Sequence, residues 1–122
     1  MQASSFINAV KNGEYDKSIK ALYPNKDLSD RKERILKLAN DFTELYGDLD
    51  IVLFSVPGRT ELSGNHTDHN NGKVLAASVD IDIIAVASKT DDETVKIKSV
   101  GYREDTVDIK NPNPDNVRKG IL

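Results

Sequence analysis

The sequence predicts an α+β fold, with helices gathered toward the N-terminal end and a mixed, largely antiparallel sheet after them. Three patterns carry that reading. Between residues 29 and 46, Ile35, Leu38, Phe42, Leu45 and Tyr46 recur at three- and four-residue spacing, the period of an amphipathic helix. Two Val- and Ile-rich runs, 51–56 (IVLFSV) and the one opening at Val74 (VLAASVDIDIIAVAS), are short and bounded by Pro and Gly, as buried strands are. Residues 94–100 (TVKIKSV) then alternate, with Lys96 and Lys98 outward, the period of a half-buried strand. Helices first and strands afterwards is the α+β order. At 122 residues the chain has the size of one domain with one core. The expectation is a single domain over 1–122, helical over 1–48 and strand-forming over 49–110, with a polar loop at 57–72.

Each element follows from local chemistry. Residues 5–11 (SFINAVK) form one or two helical turns, with Asn12 and Gly13 as the stop. Residues 14–23 form a second short helix broken at Pro24. Ser29 is the expected N-cap of the long helix and Gly47 its left-handed C-terminal cap. Arg31, Lys32, Glu33, Arg34, Lys37 and Asp41 fall largely away from its apolar stripe. In 79–88, Asp80 and Asp82 alternate with Val79, Ile81 and Ile83, which predicts a strand whose start has one wet face. The charged turn 89–93 (KTDDE) should join that strand to 94–100 as a hairpin. Residues 106–109 add a short edge strand, and the prolines of 111–115 (NPNPD) make a loop. The last stretch, 116–122, looks like the opening of a further element.

Composition narrows the function. Hydrophobic residues make up 38% and charged residues 30%, and the formal net charge is −3. Lys and Arg are scattered without a basic block, which argues against nucleic acid as a partner. No apolar run approaches membrane-spanning length and the first residues do not read as a signal peptide, so no membrane partner is expected. The absence of cysteine suits a reducing cytoplasm and removes thiolate chemistry.

The informative stretch is 56–79 (VPGRTELSGNHTDHNNGKVLAASV), which holds both histidines, three of the seven glycines, Arg59, Asp68 and three asparagines. The same residue types make ordinary solvated turns, and that reading stands beside three chemical ones. A metal site would draw on His66, Asp68 and His69, but two histidines and no cysteine fall short of the usual ligand set, so none is expected. A His–Asp pair without a nucleophile motif offers no triad. A polyol cradle fits better. Arg59, Asn65, His66 and Asp68 mix fixed donors with fixed acceptors, and a sugar hydroxyl needs both.

The segment resembles the galactokinase signature, G-R-x-N-L-I-G-E-H-T-D-Y-N-x-G-x-V-L-P. Gly58, Arg59, Leu62, Gly64, His66, Thr67, Asp68, Asn70, Gly72, Val74 and Leu75 match it in one register, directly after a strand ending in Val-Pro. The resemblance places the chain among the galactose, homoserine, mevalonate and phosphomevalonate kinases, and galactokinases within them. It implies a ribosomal protein S5 domain 2-like fold and transfer of the ATP γ-phosphoryl group to the C1 hydroxyl of galactose with magnesium. By position it implies that Arg59 lies near the reacting hydroxyl and phosphate as the catalytic residue. His66 and Asp68 would hold sugar hydroxyls, and Asn65 would occupy a sugar-contacting Glu position. The departures are Asn65 for Glu, Glu61 for Asn, His69 for Tyr, Ser63 for an apolar residue and Ala76 for Pro. An amide at position 65 loses the stronger charge-assisted bond of a carboxylate.

The family's Gly-Leu-Ser-Ser phosphate loop and its downstream catalytic Asp do not occur in these residues. The expectation is therefore an N-terminal, sugar-recognising piece of a galactokinase-like kinase, inactive alone, with ATP and Mg2+ bound elsewhere in the protein. The competing expectation is a galactokinase-derived, non-catalytic sugar-binding or regulatory module. Strands apolar on both faces and few helices to cover them also predict self-association of the isolated chain.

Overall fold

The computed structural model describes residues 1–64 and 71–110. They follow the predicted α+β order, three helices and then antiparallel strands, and divide into two compact units, one spanning Met1–Ser88 and the other beginning at Lys89. The sequence reading had a single domain.

The first unit opens with α1 (Ala3–Lys11), which buries Ala3, Ile7, Ala9 and Val10. The chain ahead of it and its first turn are tied to the residues that lead into the sheet. Gln2 bridges Asp50, the Ile51 amide donates to the Met1 carbonyl at 2.9 Å, and both the Ser4 amide and hydroxyl donate to Asp48. Helix α2 (Asp16–Leu22) ends just ahead of Pro24, as expected, and leaves Tyr23 buried at its C-terminus.

Helix α3 (Leu28–Tyr46) forms where the spacing predicts, with two corrections. Its N-cap is Asp27, not Ser29. The Asp27 carboxylate accepts from the Ser29 amide at 2.7 Å, the Asp30 amide at 3.2 Å and the Ser29 hydroxyl at 2.5 Å. A carboxylate has lone pairs for all three donors, whereas the Ser29 hydroxyl is drawn into the cap as a donor. These bonds hold the Asp27 carboxyl below the usual aspartate range. The buried stripe is also rotated from the predicted one, because it runs through Ile35 and Ala39 while Leu45 is 53% exposed. Arg34, expected in solvent, turns inward. At the far end Gly47 has φ 85° and ψ −175°, a positive-φ but extended conformation instead of the expected left-handed cap.

Strand β1 (Val52–Ser63) pairs antiparallel with β2 (Leu75–Ala87) in a long two-stranded ribbon. Residues 57–63, expected in the polar loop, are thus strand. Pro and Gly in sequence read as breakers, but here a register shift between Pro57 and Arg59 absorbs them, and a second follows between Glu61 and Ser63. Bulges and two-stranded ribbons are where Pro is tolerated in a ladder. The core joins the two layers: Val10, Ile19, Tyr23 and Ile35 from the helical segment pack with Leu53 and Ile84 from the ribbon.

The predicted hairpin between 79–88 and 94–100 is not formed. In the second unit β3 (Thr94–Ile97) pairs with β4 (Asp105–Asp108), from Thr94 opposite Asp108 to Ile97 opposite Asp105. The Tyr102 amide donates to the Ser99 carbonyl in the intervening turn. The expected edge strand at 106–109 is present as β4, whereas β2 takes β1 as its partner. Alternation marks a strand without naming its neighbour, which is why the pairing went astray. Both ladders are antiparallel; no parallel pair occurs among the described residues. The loop expected at 111–115 and the element expected at 116–122 lie outside the described residues. Among the described residues no helix is long and apolar enough to cross a membrane.

Candidate functional site

The predicted site residues lie at one end of the β1–β2 ribbon or beyond it. Arg59 stands in β1 just past the first register shift, opposite Ser78. Its guanidinium is 75% exposed and pairs with Glu61 at 3.4 Å, so it is held loosely and remains open to a ligand. Asn65, His66 and Asp68, the other predicted sugar contacts, lie outside the described residues, as does His69. Both histidines being among them, the metal reading is untouched by the geometry. Among the described residues no group of three or more His, Cys, Asp or Glu side chains gathers as a metal cage.

The described residues do show how that loop is anchored, and two glycines matter. At the first register shift, one residue of β1, Gly58, lies opposite three of β2, so β2 bulges around Val79 to Ile81. A Cβ on Gly58 would sit 3.1 Å from Val79 Cγ2 and 3.3 Å from the Ile81 carbonyl oxygen. Only glycine lets the strands close there without a shift, and the close fit sets where Arg59 emerges. Gly64 marks the neck of the loop. Its φ is 84°, and an added Cβ would lie 2.2 Å from the Lys73 carbonyl oxygen. With Ser63 paired to Leu75 directly beside it, the chain at Gly64 lies close against Lys73 and Val74. On the returning side Asn71 has φ 56°, a left-handed turn residue of the kind Asn tolerates. Gly58 and Gly64 thus meet steric requirements, the first of the register shift and the second of the neck.

A second polar cluster escaped the sequence reading. Asp82, assigned from alternation to a wet face, points at the helices, and its side chain is only 10% exposed. Its carboxylate accepts from Ser55 Oγ at 2.6 Å, from Arg34 Nη1 at 2.5 Å and from the Tyr23 hydroxyl. Arg34 Nη2 also donates to the Asp82 carbonyl at 2.9 Å. Burial pushes the Asp82 carboxyl up, but the bonds from Ser55, Tyr23 and Arg34 and the Arg34 charge outweigh it and hold the group down at about 2. The Tyr23 phenol moves the other way, raised by burial and by its bond to the Asp82 carboxylate. This cluster clamps α3 and the end of α2 to β1 and β2, a few residues before Arg59 and Gly58. It opens onto a recess of about 390 Å³ in which Lys26 and Asp80 form a second ion pair at 3.1 Å. With Asp82 saturated by protein donors, the cluster is a clamp and not a ligand site. The one signal for it in sequence was a pair of aspartates in an otherwise apolar strand, and alternation alone assigned them to solvent.

Comparison with known proteins bears on the ribbon end. The galactokinase galactose-binding signature matches residues 40–89, from the second half of α3 through β1, the loop and β2. The chain is 36% identical over 67 residues to a galactokinase of Enterococcus faecalis, covering 55% of this chain and 17% of that protein. It is 38% identical over 73 residues to a galactokinase of Clostridium beijerinckii, covering 59% of this chain and 18% of that one. Against a galactokinase of Streptococcus suis it is 32% identical over 95 residues, 70% of this chain and 24% of the other. The chain thus spans about a fifth of the length of the curated relatives it matches. No solved structure matches it. The chain is similar in sequence to these galactokinases over the galactose-binding signature and the residues that flank it.

Proposed function

We propose that this chain is the N-terminal, sugar-recognising part of a galactokinase-like kinase. The whole protein would transfer the ATP γ-phosphoryl group to the C1 hydroxyl of galactose with Mg2+ in the cytoplasm, on a ribosomal protein S5 domain 2-like framework. The signature match over residues 40–89 carries the reading. The close approach of Gly64 to Lys73 and Val74 supports it, because it brings the two strands that flank the signature residues together. His66 and Asp68 take the roles of hydroxyl partners, Asn65 accepts or donates at the position of the usual Glu, and Arg59 faces the transferring phosphate. Because the 122 residues contain neither a Gly-Leu-Ser-Ser turn nor the downstream Asp, we assign to this chain the sugar and not the nucleotide, and no phosphoryl transfer by itself. A non-catalytic sugar-binding module is the second reading, favoured by Asn65 at the Glu position.

The test is a sugar titration of the chain followed by NMR, with galactose and a C4 epimer as control. Saturable shifts with galactose that vanish in His66→Ala support the assignment; no saturable shift at about 50 mM galactose, far above any useful affinity, refutes it. In a complete kinase carrying this segment, Arg59→Ala should lower kcat more than it raises KM, since a cation aimed at developing charge acts in the transition state. A pure KM effect would leave Arg59 with binding only, and a complete protein that binds galactose but never phosphorylates it would establish the second reading.

A further inference from the structure

The bulge in β2 decides which acid Arg59 meets. From Val52 opposite Ala87 to Pro57 opposite Asp82 the two strands hold one register. Continued unbroken, that register would set Gly58 opposite Ile81 and Arg59 opposite Asp80. Residues directly opposite in an antiparallel pair have Cβ atoms about 5 Å apart, close enough for a guanidinium and a carboxylate to pair. The strands do otherwise. Arg59 stands opposite Ser78, and Val79, Asp80 and Ile81 are left as the bulge facing Gly58.

The helical layer holds that bulge at two points. The Asp80 carboxylate takes Lys26 Nζ at 3.1 Å. Lys26 sits in a fixed turn, because its amide donates to the Tyr23 carbonyl at 3.2 Å and the next residue, Asp27, is the N-cap of α3. Just past the bulge, Tyr23 and Arg34 hold the Asp82 carboxylate. Pro57, opposite Asp82, has no amide hydrogen to give the other strand, and the Asp82 carbonyl has Arg34 Nη2 as its donor at 2.9 Å. Gly58 supplies the room the bulge needs. Among the described residues Arg59 is left with Glu61 as its ion-pair partner, at 3.4 Å. A surface ion pair and a cross-strand pair of opposite charges are of similar strength. Asp80 can therefore serve either cation, and the one that holds it sets the state of Arg59. A guanidinium already paired with a carboxylate has fewer donors and less charge to offer a phosphate.

We propose that Lys26 is a positioning residue for Arg59: by holding Asp80 at the bulge it keeps that carboxylate away and leaves the guanidinium to an anionic ligand. The use of Arg59 toward a transferring phosphate rests on the function proposed above, whereas the contest for Asp80 does not.

The test uses the full 122-residue chain, without sugar or nucleotide, and follows proton exchange at Arg59 Nε by NMR. In Lys26→Met, Asp80 turns to Arg59 and the exchange slows by at least about threefold, a factor within the strength of a surface ion pair. Adding Asp80→Asn to Lys26→Met restores the parent rate, and Asp80→Asn alone leaves it unchanged. Lys26→Arg, which retains the charge, exchanges as the parent does. A merely structural loss at Lys26 would speed the exchange or leave it alone, and a change at Asp80 would not reverse it. A Lys26→Met rate equal to the parent's overturns the proposal, and so does a slowing that persists with Asp80→Asn. Because no sugar is present, these outcomes are independent of the galactose titration, whose failure would remove the sugar assignment and leave the hold on Asp80 standing.

Discussion

Asp82→Asn isolates the clamp between the helices and the ribbon. The substitution preserves volume and leaves Ser55 and Tyr23 an acceptor, but it removes the charge that Arg34 faces at 2.5 Å. A carboxyl lowered from 3.8 to about 2 corresponds to roughly 2 kcal/mol of stability at neutral pH. Asp82 is 10% exposed and Arg34 34%, so the freed guanidinium recovers part of its hydration, and the expected loss stays near 2 kcal/mol instead of the larger penalty for a fully buried orphan charge. The sign follows from the direction of the shift. The folded value lies below the unfolded one, so the contribution is complete above about pH 4, declines as pH falls and is gone below about pH 2. Urea unfolding of the chain and of Asp82→Asn should therefore differ by roughly 2 kcal/mol at pH 7 and converge between about pH 4 and pH 2. Other carboxyls titrate alike in both proteins and cancel in the difference. A gap below about 0.5 kcal/mol at pH 7, or one that stays constant down to pH 2, would show that the ion pair contributes nothing measurable.

Three other outcomes can be checked. Gly64→Ala should lower stability by more than about 2 kcal/mol and weaken galactose binding together, because the residue combines positive φ with a 2.2 Å approach to the Lys73 carbonyl; thermal melts and titration calorimetry read both, and a variant as stable as the parent would refute the steric requirement at Gly64. Asp27→Ala should lower the melting midpoint by a few degrees, about the effect of losing a helix N-cap, whereas Ser29→Ala should change it less; the reverse order would return the cap to Ser29. Asp68→Asn should weaken sugar binding by about 1.5–3 kcal/mol with little change in melting; calorimetry showing unchanged affinity and a large drop in stability would make Asp68 a turn residue only.

What the sequence determined by itself was local. The three helices, the existence of the strands and the stop at Pro24 follow from spacing and backbone chemistry that act over a few residues. The galactokinase signature was equally legible, since a match in one register needs no coordinates. Tertiary structure decided which strand pairs with which, and it joined β2 to β1 instead of to β3. It also carried β1 through Pro57 and Gly58, because a register shift absorbs residues that in isolation read as breakers. Above all it decided which face of the ribbon meets the helices. Alternation separates two faces without saying which is inside. That choice fell to Arg34, Tyr23 and Ser55, which gather donors around Asp82 that no single stretch of sequence displays. Once the carboxylate is drawn inward to be satisfied, its regular-strand neighbour Ile83 must face outward, and the period of a strand leaves it no other side.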